Sequence, residues 1–425
     1  MSIRKSFFTI ASSCTVALIG VMLISVPLHA QTDLTWAQAK ARFETENPTL
    51  KADTINVEEM KANEVTANLR PNPSVSLTAD QLYPFTKDPY YRPFASALVS
   101  GSISYLHERD HKRELRLESA QEGTKISDSQ HSDLERNLLF NLRSAFIQTL
   151  QAKAVLQLAH QELDYYDHII DISRDRFKAG DLAQVDLDRI ELQRVQYQSD
   201  LEAAEVNLRT SKIQLLQLLN DKTPVEQFDI QGSFDFSDLL QPLNDFHQTA
   251  LDNRPDLKAA LEAVQQANTN HKLAVANGST DPTFSIDSGS NPPLDPYIGF
   301  NVSIPLRIFD RNQGEKQRTQ LEIGRSQESV TAAQAQVFAD VDSAYAQLGG
   351  TLNLLRPYKT QYLEQAVRVR DTITFSYQHG GASLLDFLNA QSDYRNVQLA
   401  YLQLVGSYLS AASQLNLAVG KEVIQ

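Results

Sequence analysis

Cysteine is almost missing from this sequence: Cys14 is the only one in 425 residues, and it lies in the first apolar stretch. Disulfides and thiolate metal centres are therefore not expected. Ala11-Ser12-Ser13-Cys14 resembles a lipoprotein signal only weakly, because most of the apolar run follows the cysteine, so no lipid anchor is expected. Long hydrophobic runs are also scarce. After the first thirty residues nothing approaches the roughly eighteen apolar residues that a membrane helix needs. If the rest of the chain enters a bilayer, it must do so as strands. Positive charge is in deficit, with 39 Lys plus Arg against 52 Asp plus Glu. That balance argues against nucleic acid as a partner. It suits a path for cations, and equally an acidic, well-solvated surface.

The opening residues read as an export signal. Arg4 and Lys5 precede an apolar run from Phe7 to Val26, and Leu28-His29-Ala30 places a small residue before Gln31. Residues 1–30 are expected to be a cleaved leader. The run is long for a signal, which leaves a retained anchor as the alternative; Pro27 and the lack of stop-transfer charges favour cleavage. Losing Arg4 and Lys5 leaves 37 basic against 52 acidic residues, a net charge of -15.

One pattern occurs twice. Asp110, Phe177, Gly180, Asp186, Leu201 and Leu215 have counterparts 200 positions on in Asp310, Tyr377, Gly380, Asp386, Tyr401 and Leu415. Further upstream the register loosens, but Asn47-Pro48-Thr49-Leu50-Lys51 is echoed by Arg254-Pro255-Asp256-Leu257-Lys258. The reading is a duplication, with a first repeat over 31–225, an inter-repeat segment over 226–253 and a second repeat over 254–425. Each copy should run helix, strand pair, very long helix, tight turn, long helix.

From Asp110 to Arg176 there is no proline and one glycine, Gly123, so a continuous helix there would be roughly 100 Å long. Leu142, Ala145, Thr149, Ala152, Leu156, Ala159, Leu163, Tyr166, Ile170, Ser173 and Phe177 form a 3-4 stripe, the spacing of a coiled coil. A partner stripe returns from Leu187 to Leu218, and Phe387 to Ala418 repeats it. Gly349, Gly350 and Pro357 predict a bend in the outgoing helix of the second copy. By themselves such stripes indicate coiled coil and nothing more specific.

The strands add the decisive feature. Val75, Leu77 and Ala79 alternate with Ser76 and Thr78, and Ala97, Val99, Gly101, Ile103 and Tyr105 alternate with Leu98, Ser100, Ser102 and Ser104. Phe284 and Ile286 start a third strand, and Ile298, Phe300, Val302 and Ile304 form a fourth. One face is apolar and the other hydroxylated, as in membrane-spanning strands about ten residues long. Tyr83, Phe85, Tyr90, Tyr91 and Phe94 crowd the first hairpin loop, as in an aromatic girdle; a soluble hairpin with a sticky loop is the plainer alternative. Four strands cannot close a membrane barrel alone, since an open edge in lipid leaves backbone groups unsatisfied. Several subunits must share one barrel.

With Leu69-Arg70-Pro71-Asn72-Pro73, Phe177-x-x-Gly180, Tyr377-x-x-Gly380, Ile304-Pro305-Leu306 and Phe309-Asp310-Arg311-Asn312-Gln313-Gly314, the chain resembles the TolC-type outer-membrane efflux proteins, and most of all their CzcC- and CusC-like heavy-metal branch. The resemblance implies a mainly α fold with a small β part, long antiparallel helical hairpins forming an α-barrel, and four transmembrane strands per chain in a homotrimeric twelve-stranded barrel. It implies an exit duct in the outer membrane, set in lipid, with its helices in the periplasm. The duct would passively conduct heavy-metal cations or small toxic compounds, without a cofactor and without catalysis. A periplasmic adaptor would meet the hairpin tips at Gly180, Asp181, Gly380 and Gly381, and an inner-membrane RND-type pump would feed the duct. Tyr377 and Asp386 match gate positions of the family, and Asn389 and Asp393 continue the lumen stripe. The chain departs from the pattern at Glu108-Arg109-Asp110-His111-Lys112-Arg113, where a glycine-and-lysine helix start is usual, and at Ala382, where TolC itself has a gating arginine. A periplasmic coiled-coil adaptor and a type I protein-secretion duct are the competing readings.

Two histidine features invite sharper chemistry. His107-Glu108-Arg109-Asp110-His111 has the form of a zinc-hydrolase motif, but it begins at a strand end and lacks a third ligand at a familiar spacing. Asp110 is read instead as the cap of the long helix, mirrored by Asp310. No metal site is expected, because the mature chain has no cysteine, one methionine (Met60) and only scattered histidines. His379, beside Gly380, is read as a solvated loop histidine.

The last helix carries a second stripe: Asp386, Asn389, Asp393, Asn396, Ala400, Gln403, Ser407, Ser410 and Gln414. It lies about 100° from the apolar seam and is polar or small throughout. Such a stripe suits a water-filled bore, with Asp386 at its narrow end; the plainer role for Asp386 is first-turn helix stabilisation.

Overall fold

A computed structural model of the chain describes residues 33–82, 90, 97–238, 240–292 and 294–424. The leader with Cys14, and Tyr83, Phe85, Tyr91 and Phe94 of the first hairpin loop, lie outside the described residues. So does Gln425.

The chain begins with a two-residue strand β1 (Leu34–Thr35), followed by α1 (Trp36–Glu46) and α2 (Pro48–Ala67). Thr35 and Gln38 form a capping box at the start of α1. The break between α1 and α2 follows from Asn47-Pro48. Pro48 cannot donate to the preceding turn, and the Asn47 side chain accepts from the Thr49 and Leu50 amides at 2.9 and 3.1 Å. The same break recurs at Arg254-Pro255 between α5 (Leu243–Asn253) and α6 (Pro255–Ala276), without side-chain capping.

Strands β2 (Ser74–Asp80) and β3 (Leu98–Leu106) come next, then α3 (Lys112–Ala179), a single helix of 68 residues. At 1.5 Å per residue α3 is roughly 100 Å long. Gly180, at φ 85°, ends it in the left-handed conformation that favours glycine. Helix α4 (Gln184–Leu218) runs back beside it. A 3-10 turn at Val225–Gln227 and a short strand β4 (Ile230–Gln231) lead to α5. After α6 come β5 (Thr283–Ser290), β6 (Tyr297–Ser303), α7 (Gln313–Pro357), α8 (Leu363–Gln378) and α9 (Leu384–Val419).

The packing follows the predicted stripes. Leu142, Ala145, Thr149, Ala152, Leu163, Tyr166, Ile170 and Ser173 are buried on α3, while Phe177 at its end is exposed. Three separate clusters serve in place of one central core. One gathers α1, α2 and β4 around Leu142, Phe146 and Leu215. A second packs α5 against α7 and α9 through Phe246, Val341, Leu352 and Tyr408. The third joins both hairpins through Tyr166, Ile190, Tyr197, Tyr377 and Phe387.

Four expectations need correction. Asp110 does not cap α3: it and His111 both sit at φ 56°, so the chain turns its corner in the left-handed region and the helix starts at Lys112. Asp310 instead accepts the Asn312 amide at 2.8 Å in a turn, and α7 starts one residue after Asn312. Gly349 and Gly350 stay inside α7; only Pro357, with no N–H to donate, interrupts the helical ladder, through a π turn at Tyr358–Tyr362. The strands are also shorter than ten residues, at 7, 9, 8 and 7.

Candidate functional site

Two surfaces present themselves, the four-stranded sheet and the helical hairpins with their turns. In the sheet the order is β2-β3-β5-β6, all antiparallel, so β2 and β6 each pair on one side only. Register keeps like with like. Val75 lies opposite Ile103, which lies opposite Ile286, which faces Phe300. On the other face the row runs Ser74, Ser104, Ser285, Asn301. The Ser74 and Ser104 hydroxyls are hydrogen-bonded at 2.7 Å.

Among the described residues the apolar face has no cover: Leu77 is 85% exposed and Phe300 81%. An apolar face of that extent is stable only against lipid or another protein surface. Asp287, which the sequence reading passed over, stands on the hydroxylated face between Ser102 and Gly299. Gly299 makes room for it, since a Cβ there would come within 2.7 Å of its carboxylate. The signal was available in the alternation of Phe284 and Ile286, which sends Asp287 to the polar side.

At the strand-to-helix corner the His107–His111 string is split up. The His107 amide donates to the Pro282 carbonyl at 2.9 Å, and Glu108 is taken by Arg116 in a two-pronged ion pair. His111 is in the left-handed corner. The corner itself is clamped by Asp281, which accepts from Lys112 Nζ at 2.6 Å and from the Arg109 amide at 3.0 Å. Burial opposes the charge on Asp281, but hydrogen bonds from Lys112 and the Arg109 amide, with the lysine charge, outweigh it and hold the carboxyl below its usual range. Among the described residues no group of three or more His, Cys, Asp or Glu is placed to hold a metal.

At the hairpin turns Gly380 has φ 78° and plays the part that Gly180 plays in the first hairpin, whereas Gly381 has no positive φ. The His379 Nδ1 donates to the Phe375 carbonyl at 2.8 Å, so this exposed ring also closes the turn. Ser383 then caps α9. Its hydroxyl accepts the Asp386 amide at 3.1 Å, and the Asp386 carboxylate accepts the Ser383 hydroxyl at 2.7 Å and amide at 3.2 Å. Those two bonds hold the exposed Asp386 carboxyl below its usual range. The equivalent start of α4 has Ala183 at the cap and no such bond, so Asp186 does not share this arrangement.

Asp386, Asn389 and Asp393 are all exposed along α9. Tyr377 stands apart from them. It is 6% exposed, stacks on Phe387 with ring centroids 4.9 Å apart, and has a buried hydroxyl with no partner among the described residues. In this conformation it belongs to the core between the hairpins.

Comparison with known proteins gives a consistent result. The profile of the family described as "Outer membrane efflux protein" matches residues 41–221 and 247–421. The cobalt-zinc-cadmium resistance protein CzcC of Cupriavidus metallidurans is 23% identical over 97% of this chain and 96% of its own. The pyoverdine export outer membrane protein OpmQ of Pseudomonas aeruginosa is 25% identical over 72% of this chain and 66% of its own. Among solved structures, CusC superposes with a TM-score of 0.77 at 17% identity, covering 91% of this chain and 92% of CusC. VceC of Vibrio cholerae does so at 0.74 with 14% identity, covering 91% and 96%. At such identities the structural likeness is one of fold. The relatives are efflux and resistance proteins, and neither they nor the corner geometry supports a zinc hydrolase.

Proposed function

Because this chain belongs to the outer membrane efflux protein family, we propose that it is the exit duct of a tripartite efflux system, a homotrimer in the outer membrane whose helices extend into the periplasm. The observation that carries this reading is the sheet. It has two open edges, an exposed apolar face and a hydroxylated face that includes Asp287. Three copies joined edge to edge make a closed twelve-stranded barrel with no unsatisfied strand, apolar outside and polar within.

The two halves of the chain each supply two adjacent strands and one long hairpin, which supports an internal duplication over 31–225 and 254–425 with 226–253 between them. The hairpin turns at Gly180-Asp181 and Gly380-Gly381 are the surfaces for a periplasmic adaptor. That adaptor connects the duct to an inner-membrane RND-type pump. Asp386, Asn389 and Asp393 line the bore near its inner end, and Tyr377 joins the gate from its place beside Phe387. Full-length similarity to a cobalt-zinc-cadmium resistance protein supports heavy-metal cations as cargo, with selectivity residing in the pump.

Purified protein added to a planar bilayer tests the reading. Discrete, trimer-sized conductance steps are expected. A folded, bilayer-inserted protein that never conducts, with or without its adaptor, would overturn it.

A further inference from the structure

Where α3, α4 and α9 meet there is a cavity of about 320 Å³ whose polar lining is Glu162, Tyr197, Asp200, Asn207 and Arg395. Glu162 is 6% exposed, yet its carboxyl is in no hydrogen bond or ion pair among the described residues. The guanidinium that lines the same cavity is not engaged by it. Arg395 gives one terminal nitrogen to Asp200 at 2.8 Å and lies 5.6 Å from the centre of the Tyr197 ring, but its Nε is buried with no partner. An acid without a protein partner and a base with a buried, unpartnered Nε therefore line the same cavity, and among the described residues neither is bonded to the other.

The remaining groups around Glu162 are committed elsewhere. Arg370 on α8 pairs with Asp371 and lies over the rings of Tyr394 and Tyr165, at 4.0 and 5.0 Å. Tyr197 and Asp200 face the cavity from α4, and Tyr165 belongs to the same helix as Glu162. A buried carboxyl without a partner is stable in its neutral form, whereas its ionised form demands a donor or a cation. Burial pushes the Glu162 carboxyl up to about 7, against the pull of Arg370 and Arg395.

We propose that Glu162, Arg395 and the cavity between them form a proton-controlled latch between α3 and α9. With Glu162 protonated, Arg395 stays on Asp200 and the cavity remains between the helices. When Glu162 loses its proton to solvent, the carboxylate recruits the free Nε of Arg395 and draws α9 toward α3. Arg395 lies on α9 between Asp393 and Asn396, two members of the exposed polar stripe, so the same movement re-aims that stripe. The latch requires only the fold; its effect on conduction rests on the duct reading above.

The protonated-carboxyl infrared band of the full mature protein in detergent, followed between pH 5 and pH 9, tests the proposal, together with amide exchange in residues 393–399. The wild type should lose a carboxyl signal with a midpoint near 7. Glu162→Gln should lack that step, Arg395→Gln should move it to higher pH, and α9 exchange should change across the same window only where Glu162 is present. A signal that titrates with ordinary carboxyls near pH 4 to 5, a step that survives Glu162→Gln, or α9 exchange indifferent to pH would each overturn it. Conductance recorded in parallel separates the two readings: a silent bilayer at every pH with the infrared step intact counts against the duct, not the latch.

Discussion

Arg176 reaches from the first hairpin to the second, donating to the Tyr377 carbonyl at 3.1 Å while its guanidinium lies 5.2 Å from the centre of the Tyr377 ring. The two residues lie in the last turns of α3 and α8 and are 201 positions apart in sequence, so this one side chain ties the two hairpin turns together. Arg176→Gln should loosen both turns at a cost of about 1–3 kcal/mol. Limited proteolysis should then cut faster at residues 178–183 and 378–383; equal cutting in both proteins would show the tie to be unimportant.

The turn glycines should not behave alike. Gly380→Ala forces a side chain into φ 78° and should cost about 1 kcal/mol, although nothing lies near its missing Cβ. Gly381→Ala should be nearly neutral, since its backbone is ordinary and a Cβ would meet the Ser376 carbonyl at 3.5 Å, a normal contact. Thermal unfolding of the two variants distinguishes them, and a larger loss from Gly381 would contradict the assignment.

Sequence patterning exposed the long helices, both turns and the two-faced strands because each repeats a simple period: the buried stripe from Leu142 to Ser173 and the alternation at Val75, Leu77 and Ala79 are of this kind. The misses have no period. Strands β1 and β4 are two residues each and pair in parallel, Leu34 with Ile230 and Thr35 with Gln231, a contact set by packing beneath Phe146 and Leu150. The left-handed corner at Asp110-His111 depends on Asp281, about 170 residues away, holding Lys112 and the Arg109 amide. Nothing in the sequence sets Glu162 apart from the other acids of α3, because only the fold shows α4 and α9 closing over it.

Arg254 is a buried hub. At 5% exposure it pairs with Asp256 at 2.6 Å and Asp340 at 2.8 Å and donates to the Ala418 carbonyl at 3.3 Å, joining α6, α7 and α9. Arg254→Met leaves Asp340 without its cation and Asp256 with Arg136 alone, at 3.7 Å, and should destabilise the protein by about 3 kcal/mol, the low end for a buried pair because both carboxylates are 33% exposed. Burial opposes the charge on Asp256, yet hydrogen bonds and charge from Arg254 outweigh it and hold that carboxyl low. The stabilisation is therefore present above the unfolded value of about 3.9 and is lost as pH falls through the lower folded value. Acid-unfolding curves should show this contribution in the wild type and a smaller one in the variant, where Arg136 and the Leu257 amide still act on Asp256.

Asp386 and Asp186 occupy matching places with different surroundings, a Ser383 capping box in one and Ala183 in the other. Asp386→Asn keeps an oxygen to accept from Ser383, so the trimer should persist. In the proposed trimer it removes a charge repeated three times around the bore, so cation selectivity and block by multivalent cations should both fall in planar bilayers. Asp186→Asn should change them much less. Unchanged selectivity in the Asp386 variant would reduce that residue to helix capping.

The shared barrel can be tested by cross-linking its strand edges. Cys14 is the only cysteine and falls in the expected leader, so a mature chain cut after Ala30 offers a cysteine-free background. Within one chain β2 and β6 are three strand spacings apart, about 14 Å, too far for a disulfide. One cysteine placed along β2 (Ser74, Ser76 or Thr78) and one along β6 (Gly299, Asn301 or Ser303) should, in at least one pairing, give covalent dimers and trimers on oxidation in the outer membrane, with the ladder stopping at three. Membrane-inserted protein that stays monomeric in every pairing would contradict the account.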